Sequence, residues 1–325
     1  MKRLLLSLLA LAAGNVIGQE APSFKHDGPP FVTKNCEIVW VAPTNQMPKA
    51  LCIYQTIPQK FSDKVISNLM ALGSFTMSNK TAHTSETRAS DEDGAGFVDE
   101  SEKRYLVISP PLGWIDYEDR KADERREPVE DALDAATVQK LGLHLLDQLG
   151  IPRSQLATKP NSSEPLTFKE TRTRGHLDKK QGERLAEVYS RGVFFVRQID
   201  GVSFAGIGVA GGFDVRFASH ARVTKLELVW RNLQPYKKCQ VAIPDQIIQW
   251  VKEGKAVMPA PKVNPREVKK LTITEISPLY AGELGEKPQD FTYPFASLDA
   301  IADTGPTNIA IQLYCPILTK NTVYP

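Results

Sequence analysis

The sequence predicts an α+β protein, with antiparallel sheets and helices packed on one face, in two lobes. Three observations carry this. Strand-like runs at 193–199, 213–217 and 223–230 follow one another around a glycine-rich turn. Amphipathic helical patterns recur at 64–72, 128–149 and 244–253. Strands and helices do not alternate in the βαβ rhythm that marks a parallel sheet.

The elements follow in order. Lys2 and Arg3 precede an apolar run over 4–13, and Val16-Ile17-Gly18 then offers a peptidase site, so residues 1–18 read as a cleaved export signal. The run falls short of the ~20 residues that span a bilayer; an uncleaved N-terminal anchor is the rival reading. No later window approaches a membrane span. The mature chain is therefore expected to be secreted or periplasmic. Residues 19–35 are rich in Pro, Gly and polar groups and read as an extended leader. Runs at 37–41 and 51–55 flank Pro43-Thr44-Asn45 as a possible hairpin over 36–55. Val65, Leu69 and Leu72 recur at helical spacing, with Ser62 as N-cap and Gly73 as stop. The polar, acidic stretch 76–103 reads as a long exposed loop. Arg104-Tyr-Leu-Val-Ile-Ser109 is a strand halted by Pro110-Pro111, with 114–117 as its partner.

Pro128, Glu130 and Asp131 occupy the first turn of the strongest helical pattern, where proline and anions are favoured. Leu133, Ala136, Leu141, Leu145 and Leu149 form its stripe, ended by Gly150 and Pro152. Pro160-Asn-Ser-Ser-Glu-Pro165 reads as a linker, dividing a domain over 19–160 from one over 161–325. Phe213-Asp-Val-Arg-Phe217 alternates strictly, the pattern of a strand with one buried face. Leu226, Leu228 and Trp230 share a face. Ile247, Ile248 and Val251 point inward from the last helix, which Gly254 ends; further strands are expected at 268–276 and 308–314.

A net charge of +2 gives no support to nucleic-acid binding, and the 42% apolar and 24% charged residues are those of an ordinary globular protein. Four cysteines allow three connectivities. The hairpin would set Cys36 opposite Cys52, leaving Cys239 with Cys315; four buried free thiols are the alternative. Their wide spacings match no zinc pattern, so no metal is expected through cysteine.

Candidate motifs are weak. Gly206-Ile-Gly208-Val-Ala-Gly211 spells a dinucleotide fingerprint, but that site needs a helix directly behind it, and a period-two strand follows. A glycine-rich hairpin turn is the better reading. Gly201-Val-Ser203-Phe-Ala205 approaches a nucleophile elbow but lacks its last glycine and its strand-to-helix turn. Asp91, Asp93, Asp99 and Glu100 could ligate calcium, yet Gly94 takes a ligand position and no helices bracket the loop. His26, His83, His144, His176 and His220 are scattered. Asp116 and Asp119 beside Trp114 and Tyr117 suggest a carboxylate pair for glycan hydrolysis. Phe194, Phe195, Phe204, Phe213, Phe217 and Trp230 read chiefly as core. No cofactor motif emerges.

The run Arg197-Gln-Ile-Asp-Gly-Val-Ser-Phe204, the glycine turn, Phe213-Asp-Val-Arg-Phe217 and Arg222-Val-Thr-Lys-Leu-Glu-Leu-Val-Trp230 is similar to PepSY-like domains and to YycH/YycI-type extracytoplasmic regulatory proteins. The resemblance covers roughly 190–255. It implies a small α+β module that binds or restrains a protein or peptide partner without catalytic residues. On this reading Gly201, Phe204, Gly206, Gly208 and Gly211 form the binding turn. An exported hydrolase using Asp116 and Asp119, and an inert structural envelope protein, are the alternatives.

Overall fold

The computed structural model describes residues 29–323 apart from 34, 46, 82–93, 131–132, 160, 178–183, 206–210 and 283–288. The N-terminal third runs β1 (Glu37–Trp40), β2 (Ala50–Ile57), α1 (Asp63–Leu72), β3 (Lys80–Thr81), β4 (Ala95–Asp99), β5 (Arg104–Ser109) and β6 (Trp114–Asp119). Next come α2 (Arg120–Arg125), α3 (Ala135–Gln148), β7 (Thr167–Leu177), β8 (Arg184–Val196), β9 (Gln198–Ile199), β10 (Val202–Ala205) and β11 (Gly212–Phe217). The chain ends with β12 (Val223–Val229), β13 (Asn232–Val241), α4 (Pro244–Lys252), β14 (Lys270–Ala281), β15 (Phe291–Thr292), β16 (Pro294–Asp303), β17 (Asn308–Pro316) and β18 (Leu318–Val323). The fold is α+β: three sheets and few helices. Among the described residues no helix is long and apolar enough to cross a membrane.

The largest sheet has eight strands in the order β3-β4-β5-β6-β12-β11-β8-β7, antiparallel throughout. Alternation sets its two faces apart. Phe213 lies opposite Leu228 and Phe195, and Leu226 opposite Tyr117, so these side chains share one buried face. Val65 and Leu69 of α1 and Val138 and Leu146 of α3 close over them to make the first core. The other face carries Asp116, Glu118, Asp214, Arg216, Lys225 and Glu227, cross-linked by ion pairs such as Lys225–Glu227 at 2.8 Å.

The second core is shared by two smaller sheets and α4. In one, β14 lies antiparallel to β16 and parallel to both β1 and β10, which occupy successive halves of its other edge. The other sheet runs β15-β2-β13-β18. Leu51, Val241, Ile247, Val251, Leu271, Leu298 and Leu313 meet in this core.

Several expectations change. The hairpin over 36–55 does not form: β1 pairs with β14, and β2 pairs with β13 and β15. Each segment pairs with a longer strand elsewhere than its neighbour in sequence offers. The boundary near residue 160 falls inside the first core, which holds both Leu156 and Val193, while the second core joins Phe31 and Tyr54 to residues beyond 202. Part of the expected loop 76–103 is strand, with Phe97 of β4 buried.

The main helix begins later than expected. Asp134 caps α3, its carboxylate accepting from the Thr137 N–H at 2.7 Å, while Val129 hydrogen-bonds backbone to backbone with Val188 and so belongs to the sheet side. The buried line of α3 runs through Val138, Gly142 and Leu146; Leu141 and Leu145 flank it half-buried. By contrast Ser62 and Gly73 end α1 as expected, Ser62 Oγ accepting from Val65 N–H.

Gly142 is the contact point of α3 on the sheet. A β-carbon there would stand 2.7 Å from the Phe195 ring and 3.0 Å from Val193, both fully buried. Alanine normally gains ~1 kcal/mol over glycine inside a helix, but overpacking a filled core costs ~1–3 kcal/mol. Gly142→Ala is therefore expected to lower stability despite its better helix propensity, as chemical denaturation would measure; a stabilised variant would contradict this packing.

Candidate functional site

The glycine-rich segment is a crossing between sheets, not a hairpin turn. β10 hydrogen-bonds β9 and β14, whereas β11 belongs to the eight-stranded sheet between β8 and β12. A strand, and no helix, begins at Gly212, so a phosphate at these glycines would find no helix N-terminus. Gly206 and Gly208 lie outside the described residues. Gly201 occupies the left-handed region at φ +76° in the exposed turn before β10. Phe204 is buried, tilted against Tyr280 with ring centres 5.5 Å apart. Gly211, at φ +80°, lies so close to Phe204 that a β-carbon would approach its ring to 2.6 Å. Phe204 and Gly211 are therefore packing residues and present no contact surface.

Arg197 stands at the foot of this crossing. Its guanidinium lies over the Phe204 ring on one side and the Trp230 ring on the other, at 5.1 and 5.0 Å. It donates to the Arg231 carbonyl at 2.7 Å and to Gln155 Oε1 at 3.3 Å, and Gln155 also accepts from Trp230 Nε1. Its backbone N–H reaches the Gly211 carbonyl while its carbonyl accepts from Phe204. On the far side, Tyr54 donates to the Asp200 carboxylate in the Gly201 turn. Sequence reading missed Arg197 as a site, although a basic residue beside an otherwise apolar strand was the available signal.

Asp116 and Asp119 are not a pair. Positions three apart on β6 face opposite ways. Asp119 is fully buried, caps α2 through Ala122 N–H at 2.9 Å and ion-pairs with Arg222. Asp116 points to the charged face, opposite Glu227, with Tyr105 at 3.4 Å. Burial first, and the neighbouring Glu227 charge second, lift its carboxyl from 3.8 to about 7. A proton held there near neutrality is chemically useful, but the groups around it are other carboxylates and their lysine and arginine partners.

The remaining candidates disperse. All four cysteines carry free thiols; Cys36 precedes β1 of the six-stranded sheet while Cys52 lies in β2 of another, and Cys239 and Cys315 lie in different sheets. Burial pushes the Cys315 thiol up to about 12, away from nucleophilic use. Asp99 pairs with Arg104 at 2.9 Å, while Asp91 and Asp93 lie outside the described residues. Among the described residues no three potential metal ligands gather. His144 bonds Gln148 and His220 bonds Glu130; His26 and His83, and the side chain of His176, lie outside the description.

A largely apolar groove of about 310 Å³ lies between the β1–β2 connection and the start of α4. Trp40, Met47, Ile243 and Ile276 line it, with Lys49 at its rim. Local structure aims these side chains. Trp40 Nε1 donates to the Ala42 carbonyl at 2.9 Å, Met47 N–H closes a turn on Thr44, and Gln246 accepts from Ile243 N–H. That last bond, with Pro244 opening the helix, leaves Ile243 56% exposed; Val41 nearby is 59% exposed.

No protein-family model matches the chain, and no curated protein is significantly similar to it in sequence. A solved structure of an uncharacterized protein from Eubacterium rectale is similar over 89% of each chain, at 10% identity and a TM-score of 0.46. None of these comparisons supports the PepSY-like resemblance over residues 190–255. Within them β11 and β12 pair antiparallel in the first core, whereas α4, the helix that follows, packs in the second.

Asp116 supplies a pH-dependent test. The folded carboxyl keeps its proton to about pH 7 while the unfolded one releases it around 3.8. The folded state thus holds an extra proton between those values and loses stability as pH rises through them. Asp116→Asn is expected to melt a few degrees above the parent at pH 8 and level with it at pH 4 in thermal scans. Equal melting at pH 8 would show the carboxyl to be unstrained. Asp119→Ala removes both the cap and the partner of the exposed Arg222, leaving the buried Ala122 N–H without its acceptor. A loss of ~1–2 kcal/mol in denaturant titration is expected.

Proposed function

We propose that this chain is an exported, non-catalytic protein that binds an extended segment of a partner protein in the Trp40–Ile243 groove. The observation that carries the reading is the groove itself: its volume is that of a specific pocket, its lining is mostly apolar, and Ile243 on that lining is exposed. It also adjoins β1, an edge strand whose single strand neighbour among the described residues is β14. An edge strand beside apolar pockets is how sheets take up extended segments, with backbone bonds giving affinity and pockets giving selectivity. Lys49 at the rim suits an acidic residue flanking the apolar anchor. The PepSY-like resemblance points to the same class of protein, while the groove puts the contact on β1 and α4 in place of the glycine segment.

Export places the test in the secreted or periplasmic fraction. A photoreactive residue at position 243 is expected to crosslink one partner there, whereas the same residue at exposed Phe168 on β7 does not. Ile243→Asp and Met47→Asp should each weaken binding of that partner roughly tenfold or more, as loss of a central anchor does. The melting temperature of Ile243→Asp should match the parent's, since Ile243 is largely exposed. Binding unchanged in both variants, or turnover in a hydrolase substrate panel, overturns the proposal.

A further inference from the structure

Three aromatic side chains gather at the β15 edge of the four-stranded sheet, and none of them lines the Trp40–Ile243 groove. Phe291 is the middle ring. Tyr236 lies 4.9 Å from it, inclined at 57°, and Tyr293 lies 6.2 Å from it, inclined at 47°. Local structure brings them together. Phe291 and Tyr293 flank the buried Thr292, so both project from the face opposite to it. Gln55 of β2 lies between Phe291 and Gln234 of β13. The β13 register then shifts between Pro235 and Lys237, leaving Tyr236 without a residue opposite; such a bulge re-aims a side chain. Tyr236 is 60% exposed, while Phe291 and Tyr293 are half-buried. The main chain beneath is fixed: Thr56 N–H donates to the Asp290 carbonyl, Gln289 Nε2 to that of Phe291 and Ala281 N–H to that of Tyr293. Asp290 is exposed beside the rings. Burial first, then the neighbouring Tyr236 and Asp290, push the Tyr293 phenol up to about 12, and no cation is among those influences.

We propose that Tyr236, Phe291 and Tyr293, with Asp290 beside them, bind a quaternary ammonium group such as that of choline. The face of an aromatic ring is the negative end of its quadrupole, and it attracts a cation lying within ~6 Å of the ring centre. Rings inclined to one another present more than one face to a rounded cation, whereas parallel coplanar rings suit a flat ligand. A quaternary ammonium has no N–H groups to satisfy and is weakly hydrated, so rings can hold it without hydrogen-bond acceptors. The Asp290 carboxylate supplies the opposite charge, and the Gln55 and Gln234 amides on the same sheet are neutral. An anion would meet only π faces and a carboxylate. The group has two sources with the same chemistry at the rings: a free choline-type ion, or the headgroup of a phosphocholine lipid.

Ligand-observed NMR titration of the intact protein tests this at constant ionic strength, with choline, tetramethylammonium and dimethylbutanol, the uncharged carbon isostere of choline. Both cations are expected to saturate in the millimolar range, and dimethylbutanol to bind roughly tenfold more weakly. Tyr236→Ala and Asp290→Asn should each weaken choline binding roughly three- to tenfold, while Tyr236→Phe, which keeps the ring, should bind as the parent does. Both positions are exposed, so the melting temperatures of these variants should match the parent's. Cosedimentation with phosphatidylcholine vesicles but not with phosphatidylethanolamine vesicles supports the site with a lipid headgroup as its source; choline binding without cosedimentation supports it with the free ion. No saturable choline binding, equal binding of dimethylbutanol, or unchanged affinity in both Tyr236→Ala and Asp290→Asn overturns the proposal.

Discussion

The way the Arg197 charge is held governs how the two cores of this protein are joined. Arg197 follows the last residue of β8, in the eight-stranded sheet, and precedes β9, in the six-stranded one. Its two aromatic neighbours belong to different cores, Trp230 to the first and Phe204 to the second. Cation–π contact lets one planar group satisfy both sides at once, which lysine, a compact point charge, would do poorly. The same residue's backbone bonds both ends of the glycine crossing, through Phe204 and Gly211. The close approach of Gly211 to the Phe204 ring is what that double attachment requires.

From this joint the division of surfaces follows. The eight-stranded sheet covers its other face with charged side chains whose ion pairs run along strands and diagonally between them, such as Lys225–Glu227 and Lys225–Asp214; burial, and the Glu227 carboxylate directly opposite, lift the Asp116 carboxyl toward neutrality. Its long edge, β7, carries Lys169, Arg172 and Arg174, charges that discourage edge-to-edge pairing. The apolar groove lies instead with the second core, where β1, the turn at Thr44–Met47 and the start of α4 converge.

Residues whose partners lie close by in the chain were legible before any coordinates. β5 and β6 form the expected neighbouring strands, β11 and β12 alternate as read, and α1 begins and ends at its predicted caps. β7, β13, β16 and β18 were not anticipated. β7 and β13 are mostly polar or half-exposed, so no apolar period announces them; their strand geometry comes from pairing with β8 and β2. The buried face of α3 was displaced because Gly142, its closest contact, contributes nothing to an apolar count.

The sequence by itself determined the α+β class, the alternating strands, the helix caps and the strand that follows the glycines, because each depends on local periodicity and backbone preference. Only the tertiary structure decided which strands pair, that β1 and β2 part company, that Asp116 and Asp119 face opposite ways, and that Arg197 lies between two aromatic rings. Those features depend on contacts between residues far apart in the chain: β1 meets β14, more than two hundred positions on, and Trp230 and Phe204 reach Arg197 from separate strands. The energy of such contacts comes from burial that no local window contains.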